Sequence, residues 1–333
     1  YQVGARSGDA MGWFKGTVDD IRIYDDVLTE FQILSVMRGE PWPQAWGAGP
    51  ADGALLASTD VGLTWSAGAH AVSHDFYLND RFEDVNEGTA EAFQGNMFTT
   101  SLHTAVAFPT GLEKGTTYYW RVDEVNDADP NSPWRGDVWR FSTLPEIDIV
   151  DTDRIGRWTF DEGAGTSAFD WSGHGHHGRL RNGTQWILDG YNGGALRFDG
   201  RDDFVSVPLD VSETEYSVAM WFRTTNAACG LMCVVQDDLG GGGHDRHIYL
   251  DAGRLKARLW NTEIISTELN VADGLWHHVV HSYGGALGGQ KLYVDGVLRA
   301  SGLKAQSDFD WQQRINIGFS NDAGLTHFDG LMD

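Results

Sequence analysis

The two ends of the chain carry the same pattern, and this constrains the fold more than any other feature of the 333 residues. Residues 315–333, INIGFSNDAGLTHFDGLMD, align without a gap with residues 1–19, YQVGARSGDAMGWFKGTVD. Four positions are identical and three more keep apolar character, among them Met332 on Val18. A repeat with this spacing predicts that the chain begins inside one domain and ends inside another of the same kind.

The charge of the chain limits its partners. Forty-eight acidic residues against twenty-four basic ones give a formal net charge of −24, which argues against nucleic acids and anionic membrane surfaces. No apolar run reaches the roughly 18 residues of a membrane helix, so we expect no membrane insertion. The acidic residues stand in short clusters, a pattern typical both of solvated loops and of oxygen-ligand cation sites.

Glycine and turn signals predict an all-β architecture. The chain has 42 Gly and 14 Trp, and turn signals recur about every ten residues, as in β-sandwiches. From Ile155 onward about ten strands are predicted, and Asp295-Gly296 between KLYV and VLRA is a two-residue hairpin signal. About ten strands over roughly 180 residues suit a jelly-roll sandwich.

Residues 41–144 form a separate unit with strand signals at GLTW, SHDFYL, TTYYWRVDEV and DVWRFST. In the third of these, Tyr118, Trp120 and Val122 share one face. The run LEKGTTYYWRV resembles the fibronectin type III family, in which Tyr118 would be the corner tyrosine. The resemblance implies a fibronectin type III-like β-sandwich over 41–144, of a kind that mostly serves as a spacer in large bacterial surface proteins. Residues 145–154 are then an acidic linker.

Four segments follow one another across 153–333: WTFDEGAGTSAFDWSGHGHHGRL, GGALRFDGRDDFVSV, DGLWHHVVHSY and KLYVDGVLRASG. In this order they resemble the laminin-G-like jellyroll family of the concanavalin A-like lectin/glucanase superfamily. That family closes with an F-x-G-x-I-D-D-x-R-I-Y strand and a short helix, as residues 14–34 show. The resemblance implies that 1–40 close a preceding or neighbouring jellyroll, and that 155–333 are a jellyroll without its last strand.

A jellyroll without its last strand needs another strand in that place, because burying unpaired backbone groups is costly. The continuing chain after Asp333 could supply it, or the equivalent strand of a neighbouring copy. The second arrangement is strand addition, which runs head to tail and builds an open filament. A fold-back within one chain would have to span the whole 41–144 unit. The residues of the assembly strand are Phe14, Val18, Ile21, Ile23 and Tyr24.

Two clusters that could suggest chemistry are better explained as structure. Glu146, Asp148 and Asp151 resemble the E-x-D-x-x-E signature of retaining glucanases, but Asp151 is one methylene short and the motif precedes the first jellyroll strand. We therefore predict a linker and no enzymatic activity. The three histidines of SGHGHHGRL lie too close together to surround one tetrahedral ion without a distant fourth ligand, and we predict turn residues.

The only cysteines, Cys229 and Cys233, stand four residues apart. In an exported chain we expect a local disulfide between them, with buried free thiols as the alternative.

The laminin-G-like resemblance also implies a structural calcium ion in each jellyroll. Its ligands would be Asp170, in the D-W-S-G-H-G turn, and the acids of the closing strand. These acids are Asp333 in the second jellyroll and Asp19 and Asp20 in the first copy. A hard cation takes carboxylate and carbonyl oxygens of this kind.

A glycine-rich stretch at 236–247 offers one candidate ligand site. Flanked by charged residues, it could form the rim of a sugar-binding site together with a neighbouring hairpin, or it could be a mobile loop. The residues of this predicted rim are Asp238, His244, Asp245, Arg246, Trp260 and Asn261.

These features favour a non-enzymatic structural or adhesive repeat segment of a secreted or cell-surface protein, whose partners are copies of itself or continuing repeats. The alternative is a carbohydrate-binding module appended to a polysaccharide-degrading enzyme, with an extracellular glycan as partner.

Overall fold

The computed structural model describes residues 42–212, 214–236, 245–259, 263–304 and 312–333, and in the N-terminal segment residues 21–24, 27, 28, 33 and 35–37. Within these ranges the protein is nearly all β, with 23 strands and one short α-helix outside the N-terminal segment. The all-β prediction is therefore confirmed.

The first sandwich consists of a three-stranded sheet in the order β1-β3-β6 and a five-stranded sheet in the order β2-β8-β7-β4-β5. Its strands are antiparallel neighbours except for β2 and β8, which are parallel. Helix α1 (Phe82–Glu87) follows β4, and a 3-10 turn spans Thr104–Val106. The strands are β1 (Trp46–Gly49), β2 (Ala54–Leu56), β3 (Gly62–Ser66), β4 (Ser73–Asn79), β5 (Phe93–Met97), β6 (Ser101–His103), β7 (Thr117–Val125) and β8 (Trp139–Thr143).

Strand β7 carries the core of this sandwich. Tyr118, Trp120 and Val122 are all buried on one face, as the alternation predicts. The Tyr118 hydroxyl accepts a hydrogen bond from the Glu113 backbone N–H at 2.9 Å, the kind of upstream contact that a corner tyrosine makes. The fibronectin type III assignment of 41–144 itself stays a prediction.

The second sandwich has an eight-stranded sheet in the order β18-β17-β16-β15-β22-β13-β10-β9 and a seven-stranded sheet in the order β11-β12-β23-β14-β19-β20-β21. A 3-10 turn spans Gly285–Leu287. The strands are β9 (Ser167–Ala168), β10 (Gly178–Arg181), β11 (Gln185–Ile187), β12 (Ala195–Asp199), β13 (Phe204–Val207), β14 (Tyr216–Arg223), β15 (Gly230–Val235), β16 (Asp245–Asp251), β17 (Arg254–Arg258), β18 (Ile264–Asn270), β19 (Trp276–Gly284), β20 (Gly289–Val294), β21 (Val297–Gly302), β22 (Arg314–Ile317) and β23 (Asp329–Met332).

One apolar core fills the space between these two sheets. It includes Phe198 and Phe222 from the seven-stranded sheet and Ile248 from the eight-stranded sheet. The predicted hairpin joins β20 to β21, with φ of 50° at Asp295 and 75° at Gly296, both in the left-handed region that this two-residue turn requires.

The N-terminal segment is described only in part. Ile33 and Ser35–Met37 are helical, at the end of the segment 14–34 for which a strand and a short helix are predicted and directly after it. Ile21 and Ile23 are 51% and 60% exposed, and the Tyr24 ring stacks on Trp42 with centroids 5.0 Å apart. Among the residues predicted for the assembly strand and the first calcium site, Phe14, Val18, Asp19 and Asp20 lie outside the described residues.

Candidate binding surfaces of the second sandwich

A groove of about 930 Å³ opens beside β14. The first half of β14 forms one wall and residues 153–158 form the other, while Met232, Ile315 and Ile317 line it from the eight-stranded sheet. Met332 and Asp333 close one end. The groove therefore runs beside a strand and is lined mostly by apolar residues.

The hydrogen bonds of β14 explain this groove. On one side β14 pairs with β19 from Tyr216 to Arg223. On the other side β23 pairs with Phe222 and Arg223, and Trp221 and Asp333 exchange two backbone hydrogen bonds of 2.9 and 3.0 Å. Of the strands in the described ranges, none pairs with Ser217–Met220 on this side. Because backbone groups alternate along a strand, Ala219 and Ser217 turn their N–H and C=O toward the groove as Trp221 does.

A group of aromatic rings lies on the outward face of the seven-stranded sheet. Tyr191, in the β11–β12 connection, stacks on Trp221 with centroids 3.5 Å apart and 15° between planes. Trp276 meets Tyr191 edge to face at 6.2 Å, and His278 lies 4.8 Å from Trp221. The Arg223 guanidinium lies over the Trp276 ring at 5.5 Å. We call Tyr191, Trp221, Trp276 and His278 the aromatic face.

Strand pairing positions this face. Trp221 pairs with His278 and Arg223 with Trp276, and alternation sends these four side chains away from the core that holds Phe222. Tyr191 is 50% exposed. The sequence analysis missed this face, although the alternation of YSVAMWFRT already places Trp221 and Arg223 opposite the buried Phe222.

The predicted sugar-binding rim is corrected at Arg246. This side chain is fully buried, and its guanidinium donates to the Val211 carbonyl and to Gln312 Oε1 at 3.0 Å. It connects β16 by hydrogen bonds to the segments of Val211 and Gln312 and does not face solvent. Asp245 begins β16, whereas Asp238, His244, Trp260 and Asn261 lie outside the described residues.

Asp170 is placed to stabilise its own turn. Its side chain is buried, one oxygen accepts the N–H groups of Arg157 and Ser172 at 2.9 Å each, and the other accepts that of His176 at 3.0 Å. Burial alone would raise its pKa, but these hydrogen bonds outweigh it and hold the pKa below the usual value. Donors converging on a carboxylate suit a turn cap better than a calcium ligand.

Asp333 has a different environment. One carboxylate oxygen accepts the Asn192 N–H at 2.7 Å, and burial raises its pKa. Within the described ranges, Asp170 and Asp333 are not grouped as metal ligands. The group there with suitable spacing is Asp199, Asp202 and Asp203, whose ligand atoms lie within 4.8 Å of one another.

The predicted disulfide is wrong. Cys229 and Cys233 are free and buried, with Cys233 inside β15 and Cys229 directly before it. Four steps along an extended chain separate the Cα atoms by roughly 13 Å, well beyond the ~7 Å that a disulfide can span. Burial raises the pKa of the Cys229 thiol to about 11.

The residues of the acidic motif and of the histidine cluster contact neighbouring segments. Glu146 is exposed in the segment between the sandwiches and pairs with Lys114 at 3.0 Å. His177 Nδ1 accepts the Asp170 N–H at 3.1 Å, and His176 Nδ1 lies 3.2 Å from the Pro208 carbonyl. The histidines of this turn therefore contact different partners, as predicted for turn residues.

The fold defines the second sandwich as a jelly-roll domain of the concanavalin A-like kind. Residues 199–333 match the Laminin_G_3 family of the concanavalin A-like lectin/glucanases superfamily, so this part of the chain is similar to laminin-G-like jelly-roll domains. No curated protein matches the sequence. No helix in the described ranges is long and apolar enough to cross a membrane.

Several solved structures are similar to this chain at low identity and with TM-scores below 0.5. Domain 4 of AbnA, a GH43 extracellular arabinanase from Geobacillus stearothermophilus, in complex with arabinotriose, is 19% identical with a TM-score of 0.40, over 54% of this chain and 88% of that one. Domains LG4-5 of the mouse laminin alpha1 chain are 20% identical with a TM-score of 0.36, over 44% of this chain and 42% of that one. The Ruminococcus gnavus IT-sialidase CBM40 is 18% identical with a TM-score of 0.29, over 36% and 74%.

Proposed function

We propose that the chain is a non-enzymatic structural or adhesive segment of an extracellular protein, and that β14 of its jelly-roll domain pairs with a further strand, which comes either from the continuing chain or, by strand addition, from a neighbouring copy. The observation that carries this proposal is the groove beside β14. At Ser217 and Ala219 no strand of the described ranges pairs on this side, and Met232, Ile315 and Ile317 give the groove an apolar lining. These are the two features by which a sheet accepts an extra strand.

The repeat in the sequence identifies the strand. Residues 1–19 align with residues 315–333, which include β23. Asp20–Tyr24 are therefore the residues that come directly after this repeated pattern in its first copy. The apolar residue Val18 is at an even-numbered position, whereas Ile21 and Ile23 are at odd-numbered positions, so that strict alternation would turn them to opposite faces of a strand. One extra residue, a β-bulge, between Val18 and Ile21 would bring them to the same face. Ile21 and Ile23 of one copy would then point into the groove of the next.

Burial of these two side chains would favour the joint. Both are at least half exposed in the single chain, and fully burying an isoleucine is worth roughly 1.5–3 kcal/mol. Association costs roughly 4–15 kcal/mol in lost freedom, which the two isoleucines alone do not offset. The joint therefore also needs the hydrogen bonds of the added strand, and we expect it to depend on protein concentration. Donor and acceptor are different surfaces, so the assembly is open and head to tail.

Light scattering after gel filtration, over a range of protein concentrations, tests the joint. The full chain should gain mass with concentration, whereas residues 39–333 and the double variant Ile21→Asp/Ile23→Asp should not. Val27→Asp is the matched control, because Val27 is 90% exposed and follows the strand, and it should behave as the full chain does.

Equal masses for the full chain and the double variant at every concentration would reject assembly by strand addition. A monomeric full chain that loses thermal stability in the double variant would instead show that the strand folds back within one chain.

Carbohydrate binding is the second candidate function, and the aromatic face favours it. The Tyr191 ring is 50% exposed and Trp276 beside it is partly buried, and aromatic rings with a few polar neighbours are typical of small-ligand and saccharide surfaces. A glycan array probed with the full chain, with and without calcium, tests this candidate, and the absence of saturable binding would reject it.

A further inference from the structure

We infer that neutral polysaccharide chains bind across Tyr191 and Trp276 on the outward face of the seven-stranded sheet. This inference rests on the second candidate function and gives it a site different from the rim at 236–247. The argument for it does not use strand addition.

The rings offer the right chemistry for a sugar. The face of an aromatic ring is partly negative, and the C–H groups on the flat side of a pyranose are weakly positive and apolar, so the two attract. Tyr191 and Trp276 lie 6.2 Å apart with 68° between their planes, so that together they form an angled contact. Trp221 serves mainly as a support, because Tyr191 stacks directly on it.

The aromatic face is held in place before any ligand arrives. The Asn192 N–H donates to Asp333, and a short turn closes beside it through a 2.8 Å hydrogen bond from the Gly190 N–H to the Gly193 carbonyl. Trp276 is fixed by its strand pairing with Arg223 and by the guanidinium over its ring. Rings that are already ordered lose little freedom on binding, which favours affinity.

Charge points to a neutral ligand. The chain carries a net charge of −24, and Asp333 lies beside the Tyr191 loop, so that a polyanion would meet repulsion. Arg223 is engaged with Trp276 and offers further N–H groups to hydroxyls at the edge of the face. Hydroxyls hydrogen-bond to such charged groups without bringing a charge of their own.

Affinity electrophoresis in gels that contain a single soluble polysaccharide tests the site. The neutral probes are hydroxyethyl cellulose, xyloglucan, galactomannan and laminarin, and the anionic probes are alginate and heparin. We expect retardation by at least one neutral probe, and binding about tenfold weaker or less in Tyr191→Ala and Trp276→Ala, since aromatic anchors carry most of the energy of such surfaces. Tyr191→Phe should keep binding because the ring remains.

Controls separate this site from its alternatives. Phe98→Ala removes an aromatic side chain that is 79% exposed on the first sandwich and should bind as the unaltered protein does. His244→Ala and Trp260→Ala should do the same, because they belong to the rim. Thermal melts of each variant show that it is folded, and a change of tryptophan fluorescence on binding that is smaller in Trp276→Ala assigns the signal to the aromatic face among the 14 Trp of the chain.

The outcomes distinguish a wrong binding site from a wrong function. Loss of binding in His244→Ala or Trp260→Ala, with Tyr191→Ala and Trp276→Ala unchanged, would place the ligand at the rim and overturn this inference while carbohydrate binding stands. Retardation by anionic probes alone would overturn the neutral class. If no probe retards the unaltered protein, both the inference and the second candidate function fail.

Discussion

His281 should make the jelly-roll domain lose stability in mild acid. The side chain is fully buried, its Nε2 lies 3.3 Å from Gln290 Oε1, and the rings of Tyr216 and Tyr283 lie beside it at 6.1 and 6.3 Å. Burial, aided by the nearby positive charge of Lys304, lowers its pKa from 6.5 to about 4. The folded domain therefore keeps the ring neutral.

The sign and size of the effect follow from proton linkage. Below about pH 6.5 the unfolded chain binds a proton that the folded chain refuses until about pH 4. The free energy of unfolding keeps its full value above this pH window and falls as the pH drops through it, by about 1.4 kcal/mol for each pH unit. Between about pH 7 and pH 4.5 the expected loss is roughly 2 kcal/mol, a large part of the ~5–15 kcal/mol that a domain holds.

Urea unfolding across this pH range, in the unaltered chain and in His281→Gln, measures the effect. The glutamine is neutral and can donate to Gln290, so that chiefly the titration is removed. The variant should be somewhat less stable at neutral pH, but the gap between the two proteins should narrow or reverse by roughly 2 kcal/mol at about pH 4.5. Other titrating groups contribute equally to both proteins. Parallel stability curves would refute the assignment of a buried neutral histidine.

Three further results are expected. Neither cysteine should react with a thiol reagent at about pH 8 in the native protein, because both are buried and the pKa of Cys229 is about 11. Both should react once guanidinium has unfolded the protein without reductant. If they do not react in guanidinium, the two cysteines form a disulfide after all. Asp170→Asn should destabilise the domain by roughly 1–3 kcal/mol, because three N–H groups share its two oxygens, whereas the exposed Asp189→Asn should not. If calcium binds at Asp199, Asp202 and Asp203, excess chelator should lower the melting temperature of the unaltered protein but not of Asp202→Asn. Identical melting curves with and without chelator would contradict calcium binding.

Alternation and turn chemistry predicted most of the second sandwich because they act locally. Asp295-Gly296 fixes its hairpin through two positive φ angles, and WHHVVHSY gives β19 with His277 buried and His278 on the outward face. The disulfide prediction failed because spacing in the sequence does not reveal whether four residues curl into a loop or extend in a strand. Cys229 and Cys233 belong to the extended case.

The sites were harder to predict than the strands because they depend on contacts between distant segments. Arg246 looked like part of a charged loop, but its partners Val211 and Gln312 come from distant parts of the chain. Tyr191 gave no signal of its own, and its role depends on β12 and β14 bringing its loop over Trp221. Periodicity identified the strand that carries Trp221 but not the ring that would cover it.

The groove and the aromatic face meet at one backbone pair, and this connects the two candidate functions. Trp221 exchanges two hydrogen bonds with Asp333 at the end of the groove, and its indole supports Tyr191 on the outward face. The Asp333 carboxylate in turn accepts the Asn192 N–H that holds the Tyr191 loop. A strand added beside Ser217–Met220 would extend the pairing that begins at this point. If it shifts Asp333, it also shifts the ring on which a sugar would rest. Such a coupling between two binding events is reciprocal, so that a polysaccharide would change the strength of the joint by the same factor as the joint changes the affinity for the polysaccharide.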